Sequence, residues 1–354
     1  MLEVTAILIS LFFAMNIGAS GAAASMGVAY GAGAIKNIRT ALWICAAGVL
    51  SGAVLGGGEV VKTISSGIIP THLLSNQIVI IILLSATISL FLANIIGIPL
   101  STSEVTVGAV VGVGVAYQVL YVKSLMTIMS FWVIVPIIAF FITWVVGSGL
   151  VRLEKRGYHF EKRWLAYLLI IAGFFEAFSA GMNNVANAVG PLVGAGLLSP
   201  SRGIWLGGLF VALGAVLLGK RVVETNGKKI TQYSKAEGIL ISSTGALLVL
   251  VSSLYGLPIP LTQVTSSSII GIGVAKSGKH MLQKQIVKKI VKIWVVSPLI
   301  SLSISYFLVK LLVDSDLYSI VVPISVIIAT VGALSLMRVI NEERRSVHED
   351  GGGI

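Results

Sequence analysis

The sequence has little charge, few prolines and almost no cysteine. Only 11% of its 354 residues are charged, whereas 56% are hydrophobic. A soluble domain cannot bury that much apolar surface, so the composition excludes a soluble enzyme or binding module. The single cysteine, Cys45, excludes a disulfide framework and a cysteine metal cluster. We therefore predict an all-α polytopic membrane protein with short loops.

The basic residues are grouped between long apolar runs. The net charge of +11 could indicate nucleic-acid binding, but short basic clusters between apolar segments are typical of membrane proteins that follow the positive-inside rule. If each apolar segment crosses the membrane once, all five basic clusters lie on the same side of the membrane. We expect about 11–12 membrane segments in the cytoplasmic membrane, an external N-terminus, a cytoplasmic C-terminus and no nucleic-acid partner. The clusters lie at 36–39, 152–163, 220–235, 276–292 and 338–345.

Two pairs of segments indicate an internal repeat. FFAMNIGASGAAASMGVAYGAG at 12–33 aligns with FEAFSAGMNNVANAVGPLVGAG at 175–196, and GIPLSTSEVTVGAVVGVGVA at 97–116 aligns with GLPIPLTQVTSSSIIGIGVA at 256–275. One such match could be chance among glycine-rich helices, but two in the same order favour duplication. The charge pattern gives the copies opposite orientations, as in inverted-repeat secondary transporters with broken helices or hairpins.

The repeats divide the chain into five predicted parts. The first inverted repeat covers residues 1–151, a cytoplasmic connector 152–164, and the second inverted repeat 165–311. An additional C-terminal span then covers 312–340, and a cytoplasmic tail 341–354.

Each repeat contains a proline followed by hydroxyl residues and an apolar run. This order predicts a helix N-terminus, whose free N–H groups and hydroxyls can donate to an anion. Hydroxyls that only support helix packing are the alternative. Two opposed termini could hold one small oxyanion. The candidate binding residues in these segments are Ser101, Thr102, Ser103, Thr262, Gln263, Thr265, Ser266 and Ser267.

A second polar group lies in the other pair of segments. Three amides at Asn183, Asn184 and Asn187 need partners in a bilayer and predict a binding site, with Ser20 and Gly21 in the corresponding region of the first repeat. Only two carboxylates, Glu104 and Glu176, are expected deep within spans. Buried acids of this kind favour coupling-ion roles, with a structural hydrogen bond as the alternative.

These motifs resemble those of the inorganic phosphate transporter (PiT) family, which carries two GANDVANA-type signatures and two PVSTTHAI-type segments in inverted repeats. Residues 181–190 read GMNNVANAVG, residues 18–27 read GASGAAASMG, and residues 99–108 read PLSTSEVTVG. With the tail RRSVHEDGGGI, they are similar to the bacterial sulfate permease branch. The resemblance implies cation-coupled import of a tetrahedral oxyanion held by both motif pairs.

The departures from the family pattern concern charge. The family's aspartate is replaced by Gly21 and Asn184, its two asparagines in the first signature by Ser20 and Ala24, and its histidine by Glu104. Monohydrogen phosphate carries a proton and benefits from a carboxylate acceptor, whereas a carboxylate repels sulfate. The loss of both aspartates favours sulfate as the substrate. It also favours coupling to protons through Glu104 or Glu176 over coupling to sodium.

Several alternatives stay open at this point. A phosphate symporter with an altered site is the nearest, and a passive anion channel belongs to another class, although a channel would favour a basic ring. We expect no enzyme, because no nucleophile, base and orienting group occur together. We also expect no cofactor and no metal site. A homodimer is an open alternative.

Overall fold

The computed structural model describes residues 1–96, 100–157, 163–228, 233–278, 280–283, 285–322, 324–325 and 328–329. These residues form an all-helical structure, as predicted. The helices of the first half are α1 (Leu2–Ile17), α2 (Ala23–Gly31), α3 (Ile38–Gly56), α4 (Gly58–Ser66), α5 (Asn76–Ile96), α6 (Thr102–Ala116) and α7 (Val122–Lys155). Those of the second are α8 (Arg163–Gly194), α9 (Pro200–Leu218), α10 (Lys220–Lys228), α11 (Lys235–Leu254), α12 (Leu261–Ser277), α13 (His280–Gln283) and α14 (Gln285–Leu312).

Eight helical segments in the described residues are long and apolar enough to cross a bilayer. Helix α6, an apolar helix of 15 residues, falls below this length, as does the buried helix α12 with 17 residues. The chain is therefore a multi-pass membrane protein. About half of the predicted C-terminal span 312–340 lies outside the described residues, namely 323, 326–327 and 330–340. The whole tail 341–354 and residues 158–162 of the connector 152–164 also lie outside them.

The two halves have the same order of helices. Helices α3 and α9 both have 19 residues, and α4 and α10 both have nine. The long helices α7 and α14 each contain an internal proline, Pro136 and Pro298. The predicted break in the second half is confirmed, since α11 ends at Leu254 and α12 begins at Leu261. In the first half α5 ends at Ile96, and the predicted break at 97–99 lies outside the described residues.

The halves also pack reciprocally. Helix α3 packs on α8 and α9, α1 packs on α9 and α8, α6 packs on α14, and α12 packs on α7. In the repeat, α1 corresponds to α8, α3 to α9, α6 to α12 and α7 to α14. The contact of α3 with α8 is therefore matched by that of α9 with α1, and the contact of α6 with α14 by that of α12 with α7. We propose that a pseudo-two-fold relation, with the boundaries 1–151 and 165–311, underlies this pattern.

One difference between the halves concerns the first glycine-rich segment. Residues Gly18–Ala22 form a π-helical turn between α1 and α2, whereas the equivalent residues of the second half lie in the uninterrupted helix α8. The π turn is consistent with the sequence GASGA, because small side chains offer little packing that would resist a local change of helical pitch.

Close backbone contact between the halves depends on glycine. A Cβ atom at Gly181 of α8 would overlap the carbonyl oxygen of Val49 in α3, and a Cβ atom at Gly18 would overlap the carbonyl oxygen of Val211 in α9. Small residues allow such close approach of membrane helices, where packing rather than water drives association.

We expect Gly181→Ala to destabilise the folded protein by roughly 1–3 kcal/mol, because the added methyl group must push α3 away from α8. Thermal unfolding in detergent would measure the loss as a lower melting temperature. Gly149→Ala is the matched control, since a Cβ atom there meets nothing within 4 Å. Equal melting temperatures for the two variants would contradict this packing role.

Candidate oxyanion and cation sites

The N-termini of the two short helices, α6 and α12, lie at the centre of the molecule. Ser101 caps α6, its hydroxyl accepting a hydrogen bond from the Glu104 N–H at 3.3 Å. Helix α12 begins after Pro258 and Pro260, and its first turns are buried like those of α6. The predicted helix starts after prolines are thus confirmed, and both present hydroxyls in the protein interior.

The Asn183 amide of α8 joins these two helices. Its Oδ1 accepts from the Ser103 hydroxyl at 3.3 Å and from the Ile259 N–H at 3.1 Å. Its Nδ2 donates to the Ser253 hydroxyl at 3.0 Å and to the Leu257 carbonyl at 2.9 Å. All four hydrogen-bonding positions of the amide are occupied, so Asn183 secures the break between α11 and α12.

Asn184 and Asn187 keep polar atoms without a protein partner. Asn184 Oδ1 accepts from the Thr102 hydroxyl at 2.9 Å, and Asn187 Nδ2 contacts the hydroxyls of Thr102 and Ser103 at 3.3 Å each. Asn184 Nδ2, Asn187 Oδ1 and the Thr262 hydroxyl are buried without a hydrogen-bond partner. Such atoms are costly in a protein interior and indicate a polar ligand site.

Gly21 faces this group from the first repeat. A Cβ atom at Gly21 would lie 3.1 Å from Asn184 Nδ2 and 3.6 Å from the Thr102 hydroxyl. The unpartnered amide of Asn184 therefore points towards a residue with no side chain. Because Gly21 and Asn184 are equivalent in the sequence repeat, the two signatures meet at this point.

The Glu104 carboxylate connects three helices. Gln263 Nε2 donates to its Oε1, and the Ser297 hydroxyl donates to its Oε2 at 2.6 Å. Gln263 is the repeat counterpart of Glu104, so these equivalent residues of α6 and α12 also contact each other. Ser297 lies one residue before the proline of α14.

Glu176 lies deeper in the protein and has fewer partners. Its Oε1 accepts from the Thr265 hydroxyl at 2.6 Å, while its Oε2 has no partner, and the residue is fully buried. The ion pairs among the described residues join Lys62 with Glu59, Lys276 with Glu237, and Lys310 with Asp314. None of them includes Glu104 or Glu176.

The other predicted site residues lie nearby with different partners. The Ser20 hydroxyl of the π turn donates to the Asn16 carbonyl of α1 at 3.0 Å, and Ser266 and Ser267 are buried in α12. Ser267 lines, with Glu104 and Gln263, an otherwise apolar cavity between α7 and α14 of about 650 Å³.

Sequence reasoning missed three residues of this network. The Ser253 hydroxyl accepts a hydrogen bond from Asn183, and the Ser297 hydroxyl donates one to Glu104. Trp132 of α7 donates its indole N–H to the Pro258 carbonyl at 2.8 Å. The position of Ser253 next to the helix break and that of Ser297 next to Pro298 were the available signals.

A model of the phosphate transporter family matches residues 17–163 and 151–305 of the chain. The chain belongs to the phosphate transporter family. The sulfate permease CysP of Bacillus subtilis is 64% identical to it over the full length of both chains. A putative phosphate permease of Pyrococcus abyssi is 29% identical, with 86% of this chain and 96% of the relative covered.

The fold of this family member also matches a solved structure. The sodium-dependent phosphate transporter superposes with a TM-score of 0.73 over 87% of this chain and 98% of the other, at 23% identity. The all-helical transporter fold predicted from the two repeats is therefore confirmed.

We expect Asn183→Ala to lower both the stability of this family member and its affinity for its anion. The substitution leaves the Ile259 N–H and the Leu257 carbonyl without their partner inside the membrane, at a cost of roughly 1–3 kcal/mol for each unsatisfied group. Thermal unfolding and equilibrium anion binding would measure the two effects. Ser51→Ala on α3 is the control, because that hydroxyl bonds only its own helix. A variant at 183 that matches this control would contradict the assigned role.

Proposed function

We propose that this protein imports inorganic sulfate across the cytoplasmic membrane by cation-coupled symport, with alternating access between its two repeats. The N-terminus lies outside and the C-terminus inside in this proposal. The name and high identity of the Bacillus subtilis relative support sulfate as the substrate. Membership of the phosphate transporter family supports a tetrahedral anion and coupling to a cation.

The short distance between Gly21 and the Asn184 amide is the observation that favours sulfate over phosphate as the substrate. The resemblance to the family implies an aspartate at both positions, but here a glycine faces an unpartnered amide nitrogen. Sulfate at neutral pH carries no proton, so every oxygen can accept a hydrogen bond from a neutral donor. An aspartate at the same place would repel it.

The proposed sulfate ligands come from four elements. Asn184, Asn187, Thr102 and Ser103 surround the N-terminus of α6, whose free N–H groups favour an anion. Thr262, Thr265, Ser266 and Ser267 belong to α12, and Ser20, Gly21 and Ser101 complete the proposed set. Asn183 and Gln263 support these residues through the contacts described above. No lysine or arginine joins the described hydrogen bonds of these residues, so neutral dipoles would hold the dianion.

Protons are the favoured coupling ion in this proposal, bound by Glu104 or Glu176. Both carboxylates are buried and lack ion-pair partners among the described residues. A buried carboxyl group is readily neutralised by a proton, because burial disfavours its charged form. Sodium held by backbone carbonyls is the alternative.

Uptake of radiolabelled sulfate by the protein reconstituted in liposomes would test the proposed function. We expect accumulation under an inward proton gradient, little effect of a sodium gradient, and little competition by excess phosphate. Strong phosphate competition would favour a phosphate symporter with an altered site. Sulfate flux that persists unchanged after collapse of all cation gradients would indicate a passive anion channel.

Gly21→Asp is the sharpest test of the substrate. The new carboxylate would accept the free Asn184 amide and place a negative charge at the anion site, so we expect sulfate affinity to fall by at least tenfold, which corresponds to about 1.4 kcal/mol. Phosphate should compete better than in the wild type. Gly21→Asn is the control of nearly equal size without the charge. If both variants lose sulfate equally, size and not charge sets the preference.

A further inference from the structure

The two buried carboxyl groups differ in how many donors they meet. Both oxygens of Glu104 accept hydrogen bonds, from Gln263 and Ser297. Glu176 accepts one, from Thr265, and its Oε2 has no partner. The ionised form of Glu104 is therefore stabilised by its surroundings, whereas that of Glu176 is stabilised only in part.

A second unpartnered oxygen lies beside Glu176. The Ser242 hydroxyl of α11 lies close to the Glu176 carboxyl without forming a hydrogen bond, and both residues are fully buried. Gly245, one turn further along α11, lets this helix approach, since a Cβ atom there would lie 2.9 Å from Glu176 Oε1. Three helices thus enclose one carboxyl group with two hydroxyls.

The first repeat has no such group. The positions equivalent to Glu176 and Ser242 are Phe13 and Leu83, both buried and apolar, while Thr106 corresponds to Thr265. The duplicated fold could have placed a carboxyl group at this position in both halves, yet only the second half has one there. The asymmetry sets this group apart from the anion ligands, which come from both halves.

The other charges around Glu176 leave its ionised form without a counter-ion. The titratable groups that interact with it in the described part of the chain are the Cys45 thiol of α3 and the Tyr233 phenol ahead of α11. Both are neutral near pH 7. Glu237 of α11 and Lys276 of α12 are already paired with each other at 2.9 Å.

We propose that Glu176 and Ser242 form the proton site of the transporter, and that the Thr265 hydroxyl joins this site to the proposed anion ligands of α12. The inference rests on the proposed function and assigns coupling to Glu176, with Glu104 as a positioning residue for α6. An O–H bond forms at Glu176 Oε2 with a proton from the external solution, and the same bond breaks when the proton leaves to the cytoplasm.

The distance between the two sites explains how the proton and the anion are coupled. Glu176 and Asn184, a proposed sulfate ligand, lie eight residues apart on α8, which is about 12 Å along the helix axis. At that distance an ionised carboxylate would weaken the binding of a dianion on the order of a hundredfold. Sulfate therefore binds well only when Glu176 is protonated, and each ion promotes binding of the other.

Equilibrium binding of radiolabelled sulfate to the purified protein, measured between about pH 6 and about pH 9, tests this inference. Sulfate stays a dianion across this range, so any change belongs to the protein. We expect the wild type to lose affinity as the pH rises, because Glu176 ionises. Glu176→Gln should bind sulfate equally at every pH and should transport without response to a proton gradient. Glu104→Gln should keep the pH dependence.

A second variant moves the Glu176 carboxyl group without removing it. Gly245→Ala keeps the carboxyl group but displaces it from Thr265, and it should shift the midpoint of the pH dependence. Gly238→Ala on the same face of α11 is the control, because the nearest atoms to its Cβ atom would be side-chain carbons of Leu169, at 2.9 Å, and Val28. We expect wild-type pH dependence from this control.

The outcomes separate this inference from the proposed function. If the wild type binds sulfate and Glu176→Gln keeps the same pH dependence, or if Gly245→Ala matches Gly238→Ala, the proton site is wrong and sulfate transport stands. A wild type whose affinity ignores pH also overturns the proton site. A wild type that binds no sulfate overturns the proposed function itself.

Discussion

The structure depends on satisfying the backbone where a membrane helix is interrupted. Between α11 and α12 the carbonyl of Leu257 and the N–H of Ile259 bond the Asn183 amide, and the carbonyl of Pro258 bonds Trp132. The carbonyl of Ile259 accepts from Ser103. A bilayer offers no water to groups of this kind, so an interruption can persist only where protein supplies the partners. The position of α12, and with it the proposed anion site, follows from these four bonds.

The buried polar groups near the start of α6 likewise have neutral protein partners. The polar centre contains amides and hydroxyls around the start of α6, and its two acids are held by neutral donors. A dianion bound by dipoles can be released more easily than one bound by arginine, because no buried cation is left behind. This property suits a carrier, which must release its substrate in every cycle.

Much of the architecture was predictable from local patterns. Glycine followed by proline marks the helix break near Pro258, and the two aligned segment pairs predict the repeat that the helix order shows. The π turn at Gly18–Ala22 was not predictable, because the same region of the second repeat is a regular helix. Small residues permit a change of pitch without requiring it.

Some of the polar residues at the site were predictable from the sequence, and others were not. Asn183, Asn184 and the hydroxyls after residue 100 stood out because polar groups are rare in apolar runs. Their partners Ser253 and Ser297 did not, since membrane helices commonly contain serines that bond their own backbone. The direct contact between Glu104 and Gln263 required three-dimensional information, because repeat equivalence alone does not place two residues side by side.

The reciprocal packing of the halves also constrains how the protein is made. Helix α6 packs on α14, and α7 packs on α12, so each pair joins an early segment of the chain to a late one. During synthesis the first half enters the membrane long before these partners exist. Until the last helices arrive, the hydroxyl-rich start of α6 lacks the partners that it has in the folded protein. Truncation before α14 would consequently leave the first half unable to complete its own fold.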